Sequence, residues 1–100
     1  MTPTAHRALR IIASAPGSIT AGEMALELRA WKTPQAATRW GASYANHLRL
    51  KGWIAINWHE EPDTGWRWVY ITPAGHAALL AADRAEQERH NRQFMGLVQP

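Results

Sequence analysis

Residues 33–54 read TPQAATRWGASYANHLRLKGWI, and a change of period inside this stretch decides the fold. Thr33-Pro34 places a capping hydroxyl before a proline at the first helical position, where the missing N–H has no intrahelical partner to lose. From Pro34 to about Lys51 the pattern is helical, with Gly41 as a point where the helix could bend and Gly52 as a left-handed cap that ends it. After Gly52 the period drops to two. Trp53-Ile54-Ala55-Ile56-Asn57-Trp58 and Trp66-Arg67-Trp68-Val69-Tyr70-Ile71 are β-branched and aromatic runs separated by the turn-rich loop 59–65, so the pair predicts a β-hairpin.

Working outward, residues 4–15 predict a short helix with Ala5, Leu9, Ile12 and Ala13 at helical spacing, ended by Pro16-Gly17. Residues 18–20 are a connector, or at most a very short strand. Thr20 and Glu23 fit a capping box that opens a second helix over 21–30, with Met24, Ala25 and Leu28 facing inward. Residues 31–33 then form a short break before the third helix. Thr72-Pro73 repeats the cap-then-proline form and opens a last helix over roughly 73–92, whose apolar pattern stops at about Ala85. Phe94, Met95, Leu97 and Val98 lie in a tail with little periodicity. The expectation is one α+β, mainly α, domain over 1–92: three helices, a two-stranded hairpin and a C-terminal helix, followed by a tail over 93–100.

Composition narrows the function. A chain of 100 residues that is 46% apolar and 19% charged can bury one modest core. The absence of cysteine excludes disulfide scaffolds, thiolate zinc sites and cysteine catalysis. No run approaches a membrane span, and the first residues lack a signal-peptide apolar stretch, so a cytoplasmic location with no membrane partner is expected. The formal net charge is +3, and its distribution matters more than its size. Between Leu28 and His59 there is no acid, while Arg29, Lys32, Arg39, Arg49 and Lys51 fall there. From Pro73 onward the charges cancel. A basic block inside a patterned segment suggests a polyanion, most often nucleic acid; the alternative is a merely solvated face.

A second and third helix joined by a short break make a helix-turn-helix, which places its second helix in a DNA major groove. On helix 34–51, Ala37, Trp40, Gly41, Tyr44 and Leu48 gather within about 100° as a core stripe, while Gln35, Arg39, Ala42, Asn46 and Arg49 fall within about 80° on the opposite side. That side offers Gln and Asn, which pair two-pronged with adenine, and Arg, which does so with guanine, around a small Ala42 that permits close approach.

Two pieces of sequence carry a family resemblance. Asn46-His47-Leu48-Arg49-Leu50-Lys51-Gly52-Trp53-Ile54 is similar to the end of a recognition helix running into a first wing strand. Tyr70-Ile71-Thr72-Pro73-Ala74-Gly75-His76-Ala77-Ala78-Leu79 is similar to a second wing strand followed by an aromatic-x-Thr-Pro-x-Gly helix opening. The stretch 18–80 resembles the winged helix-turn-helix of bacterial regulators such as the MarR and PadR families. The resemblance implies a double-stranded DNA partner, with Gln35, Thr38, Arg39, Ala42, Ser43 and Asn46 meeting bases and Lys32, Arg49 and Lys51 meeting phosphates. Arg67 could approach the backbone from the base of the hairpin. The departure is at the wing tip, where Glu60-Glu61-Pro62-Asp63 stands in place of the Arg or Lys that enters a minor groove, and carboxylates there would repel phosphate.

That acidic tip sustains an alternative: an interaction module that docks a protein through its Trp-rich hairpin without DNA. Trp66, Trp68 and Tyr70 alternate onto one hairpin face, while Arg67, Val69 and Ile71, with Ile54 and Ile56, take the other. The aromatic row is either the inner face or an exposed patch on which a protein, or the bases of RNA or a single strand, could stack. The last helix and its tail, with Phe94, Met95, Leu97 and Val98, are the candidate homodimer surface; the alternative is a terminal helix that packs on its own subunit. The five histidines show no metal-ligand spacing, and Glu60/Glu61 and Glu86/Glu88 have the polar neighbours of solvated groups. No metal, no cofactor and no enzymatic activity are expected.

Overall fold

The computed structural model describes residues 1–15, 19–28, 33–58 and 67–98, with only the backbone described at residues 34, 58, 67 and 94–98. Its elements are α1 (Pro3–Ser14), β1 (Ile19–Thr20), α2 (Ala21–Leu28), α3 (Pro34–Leu50), β2 (Ile54–Trp58), β3 (Arg67–Ile71) and α4 (Pro73–Val98). Each helix start that the sequence marks is capped as expected. Ala36 N–H donates to Thr33 Oγ1 at 3.2 Å. The capping box of α2 closes in both directions, Glu23 N–H to Thr20 Oγ1 at 3.1 Å and Thr20 N–H to Glu23 Oε1 at 3.3 Å. At α4, Gly75 N–H donates to Thr72 Oγ1 at 3.0 Å. Thr2 caps α1 in the same way, a start that the sequence reading placed one residue later.

The strands form one antiparallel sheet in the order β1-β3-β2. The residues before α2 are thus a strand, with Ile19 opposite Val69, and the hairpin register sets Ile54 opposite Ile71 and Ile56 opposite Val69. Strand alternation then puts Ile19, Ile54, Ile56, Val69 and Ile71 on one face, and that face meets the helices. The aromatic row lies on the other: Tyr70 is 38% exposed, and Trp68 is half-buried. At its two described positions, Trp68 and Tyr70, the row is therefore turned away from the face that meets the helices, and Trp66 lies outside the described residues. Ile19, Ile54 and Val69 of that face share one core with the fully buried Leu9, Met24 and Leu48.

Three glycines fix how the elements meet. α3 runs as one uninterrupted helix through Gly41, where a Cβ would collide with the Ala21 carbonyl. Glycine there lets α3 cross α2 at nearly backbone contact. Gly52, at φ +78°, closes α3 in the left-handed region that the sequence marks for it. A Cβ at Gly75 would collide with the Trp53 carbonyl, so α4 can begin directly against the α3–β2 junction. Thr72 tightens the same junction, its N–H donating to Trp53 O at 3.0 Å and its hydroxyl to Gly52 O at 2.6 Å.

The last helix runs further than its apolar pattern implies, to Val98 rather than to about residue 92. Beyond Asp83 each residue from 84 to 93 is exposed, so this part of α4 buries no side chain in the core, and Glu86 ties it to Arg10 only at the surface. Its Ala, Glu, Gln and Arg content supplies helix propensity where burial does not. Over 26 residues α4 is about 39 Å long, and it stretches the molecule to 63 × 32 × 23 Å. No described helix is long and apolar enough to cross a membrane.

Candidate nucleic-acid interface

The residues of α3 divide as their spacing dictates. Ala37, Gly41, Ala45 and Leu48 are buried, and Trp40 and Tyr44 are half-buried at the edge of the core. Gln35, Thr38, Arg39, Ser43, Asn46 and Arg49 are all exposed, and Ala42 is half-buried among them. A continuous strip of amide, hydroxyl and guanidinium groups therefore faces outward with a small residue at its centre. Among the described residues no carboxylate pairs with Arg39, Arg49 or Lys51; the ion pairs found all lie elsewhere, between α1 and α4.

Individual members of the strip differ in freedom. Thr38 sits against the start of α2, its Oγ1 about where a Cβ on Gly22 would touch it, so it marks the border of the strip with the preceding helix. Asn46 and Arg49 are joined: the Asn46 Oδ1 accepts from Arg49 Nε at 3.1 Å and from Nη2 at 2.8 Å. Lys51 extends its ammonium over the Trp53 ring, 5.1 Å from the centroid, which holds the charge beside the end of α3. Trp53 is a partner that charge counting alone does not reveal. Lys32, Trp66, Glu60, Glu61 and Asp63 fall outside the described residues. Arg67 is placed by its backbone opposite Trp58, and Phe94, Met95 and Leu97 lie on the α4 backbone.

Two constellations escape a reading of the sequence. Trp40 and Tyr44 stack at 4.8 Å and 10°, with His47 tilted 5.9 Å beyond Tyr44. Burial raises the Tyr44 hydroxyl above its ordinary pKa, opposed by a hydrogen bond with Thr2. The second is a polar clasp. Asp83 Oδ1 lies 2.6 Å from His6 Nε2 and 3.0 Å from Arg10 Nη2, which also donates to Glu86 Oε2 at 3.1 Å. The hydrogen bond with His6, and then that with Arg10, holds the Asp83 carboxyl below its usual range. His6, Asp83 and Glu86 bring three potential metal-ligand atoms within 4.8 Å of one another. The same carboxylate oxygens already accept from the Arg10 guanidinium, so the cluster is chemically an α1–α4 ion-pair clasp. Its only sequence signal is a His–Arg pair four apart on one helix and an Asp–Glu pair three apart on another.

A helix-turn-helix whose second helix runs into a β-hairpin, with a third strand before the motif and a helix after it, is a winged helix-turn-helix. The chain is similar over its full length to the crystal structure of a MarR-family transcriptional regulator from Silicibacter pomeroyi, with a TM-score of 0.63 and 21% sequence identity. It covers 61% of that chain, so it spans about three-fifths of the regulator's length. No protein-family model matches the sequence, and no curated protein matches it.

Proposed function

We propose that this protein binds double-stranded DNA sequence-specifically and regulates transcription, with α3 in the major groove. One observation carries the reading: the side of α3 turned away from the core is open, free of acids and lined by Gln35, Arg39, Ser43 and Asn46 around Ala42. These are the side chains that read base edges, at the position where this fold presents its second helix. Lys32, Arg49, Lys51 and Arg67 are proposed as phosphate contacts. The similarity to a transcriptional regulator agrees with a non-enzymatic role. One helix reads only a few base pairs, and α4 extends past the domain with 84–93 exposed, so a homodimer formed through α4 on paired half-sites belongs to the same proposal.

A gel-shift series against random and genomic-neighbourhood duplexes, with a salt titration, tests it. Three to five neutralised phosphates per subunit give a log–log salt slope of about −3 to −5. A flat slope, or no shifted band, contradicts DNA binding. The second reading has its own observation, the outward-facing Tyr70 and Trp68 on the sheet. It predicts that a protein partner is captured through the hairpin and lost in Tyr70→Ala.

A further inference from the structure

To read adenine, the Asn46 amide must present one acceptor and one donor at once: Oδ1 toward the adenine N6 amino group and Nδ2 toward N7. The structure spends the acceptor elsewhere. Asn46 Oδ1 receives both Nε–H and Nη2–H of Arg49. The orientation of the amide follows, because a guanidinium has five donors and no acceptor, so only the oxygen can face it. The two residues are three apart on the exposed side of α3 and project together.

What remains on offer is donors alone. Asn46 keeps the two hydrogens of Nδ2. Arg49 has used its side-on edge and keeps the end-on fork of Nη1 and the second Nη2 hydrogen. An adenine N6 amino group or a cytosine N4 amino group would meet a donor with a donor. Guanine presents two acceptors, N7 and O6, at the spacing of the end-on fork. The internal bond also restrains a long side chain before binding, which lowers the ordering cost of using it.

We propose that Asn46 and Arg49 act as one unit that selects a guanine in the major groove, with Asn46 positioning Arg49 rather than reading adenine itself. The inference rests on the DNA-binding reading above; it adds the identity of one base and replaces the phosphate role given there to Arg49 with a base-reading one. The test selects duplexes from a randomised pool with the wild type, Arg49→Ala and Asn46→Ala, then measures binding to the selected duplex with 7-deazaguanine at the critical position. The wild type should require one guanine, and 7-deazaguanine there should weaken binding roughly 10- to 100-fold. Arg49→Ala releases the Asn46 oxygen, so the preference at that position should move from guanine to adenine. Asn46→Ala should keep the guanine with a weaker preference. An equal loss for Arg49→Ala on all duplexes, with an unchanged selected sequence, makes Arg49 a phosphate contact and overturns the inference while leaving DNA binding intact. A wild-type preference for adenine at the position that Arg49→Ala alters overturns it as well. Failure of the wild type to select any duplex overturns both readings together.

Discussion

Arg39 lies near the middle of the outward strip of α3, one turn from Gln35 and from Ala42, and nothing acidic among the described residues engages it. If it reads a base, Arg39→Ala should cost about 1–3 kcal/mol on the preferred duplex and much less on random DNA, measured by fluorescence anisotropy at fixed salt. Equal losses on both would reassign it to the phosphate backbone. The hairpin makes a contrasting residue-scale case. Leu48, fully buried under the sheet, should cost about 2–5 kcal/mol as Leu48→Ala in urea denaturation. Tyr70→Ala on the outer sheet face should stay within about 1 kcal/mol. A large loss for Tyr70→Ala would mean that the aromatic face carries packing that its exposure does not suggest.

At the scale of elements, the junction of α3, β2 and α4 is held by one threonine and one glycine. Thr72 caps α4 and donates to the Gly52 carbonyl, so Thr72→Ala should cost about 0.5–2 kcal/mol. Gly75→Ala should cost at least about 1–3 kcal/mol, since a methyl group would meet the Trp53 carbonyl and one helix would have to move. Thermal melts of both variants check the pair, and a Gly75→Ala protein as stable as wild type would contradict the close approach. These features were legible because their causes are local: Thr33-Pro34, Thr20 with Glu23, Thr72-Pro73 and Gly52 each fix a few backbone torsions. Alternation in residues 66–71 separated two faces but did not say which is buried. That depended on β1, Leu9 and Met24, all distant in sequence. The reach of α4 was missed because an apolar stripe reports burial, and residues 84–93 are helical without it.

Across the whole molecule, α1 and α4 are tied by a clasp that no local pattern specifies, since His6 and Asp83 stand 77 positions apart. The Asp83 carboxyl is held below its ordinary range, so its contribution to stability is present above that range and is lost as pH falls through the lowered value. Thermal melts from neutral pH down to the acid side should show the wild type losing stability faster than Asp83→Asn, with the two curves converging at low pH. Parallel curves would mean that the clasp contributes nothing. The candidate interface was legible in outline for the same reason that the clasp was not. A helix face is a local periodicity, readable from Gln35, Arg39 and Asn46, whereas the Arg49–Asn46 bond and the Lys51–Trp53 contact depend on rotamers.

The most direct measurement is a residue-by-residue map of the DNA-bound state. Backbone amide shifts of the isotope-labelled protein, followed as duplex is added, should move most at Gln35, Arg39, Ala42, Ser43 and Asn46. Trp68 and Tyr70, on the outer sheet face, should stay near their free positions. Shifts confined to the hairpin, with the outer side of α3 silent, would contradict the account and favour a protein-docking role.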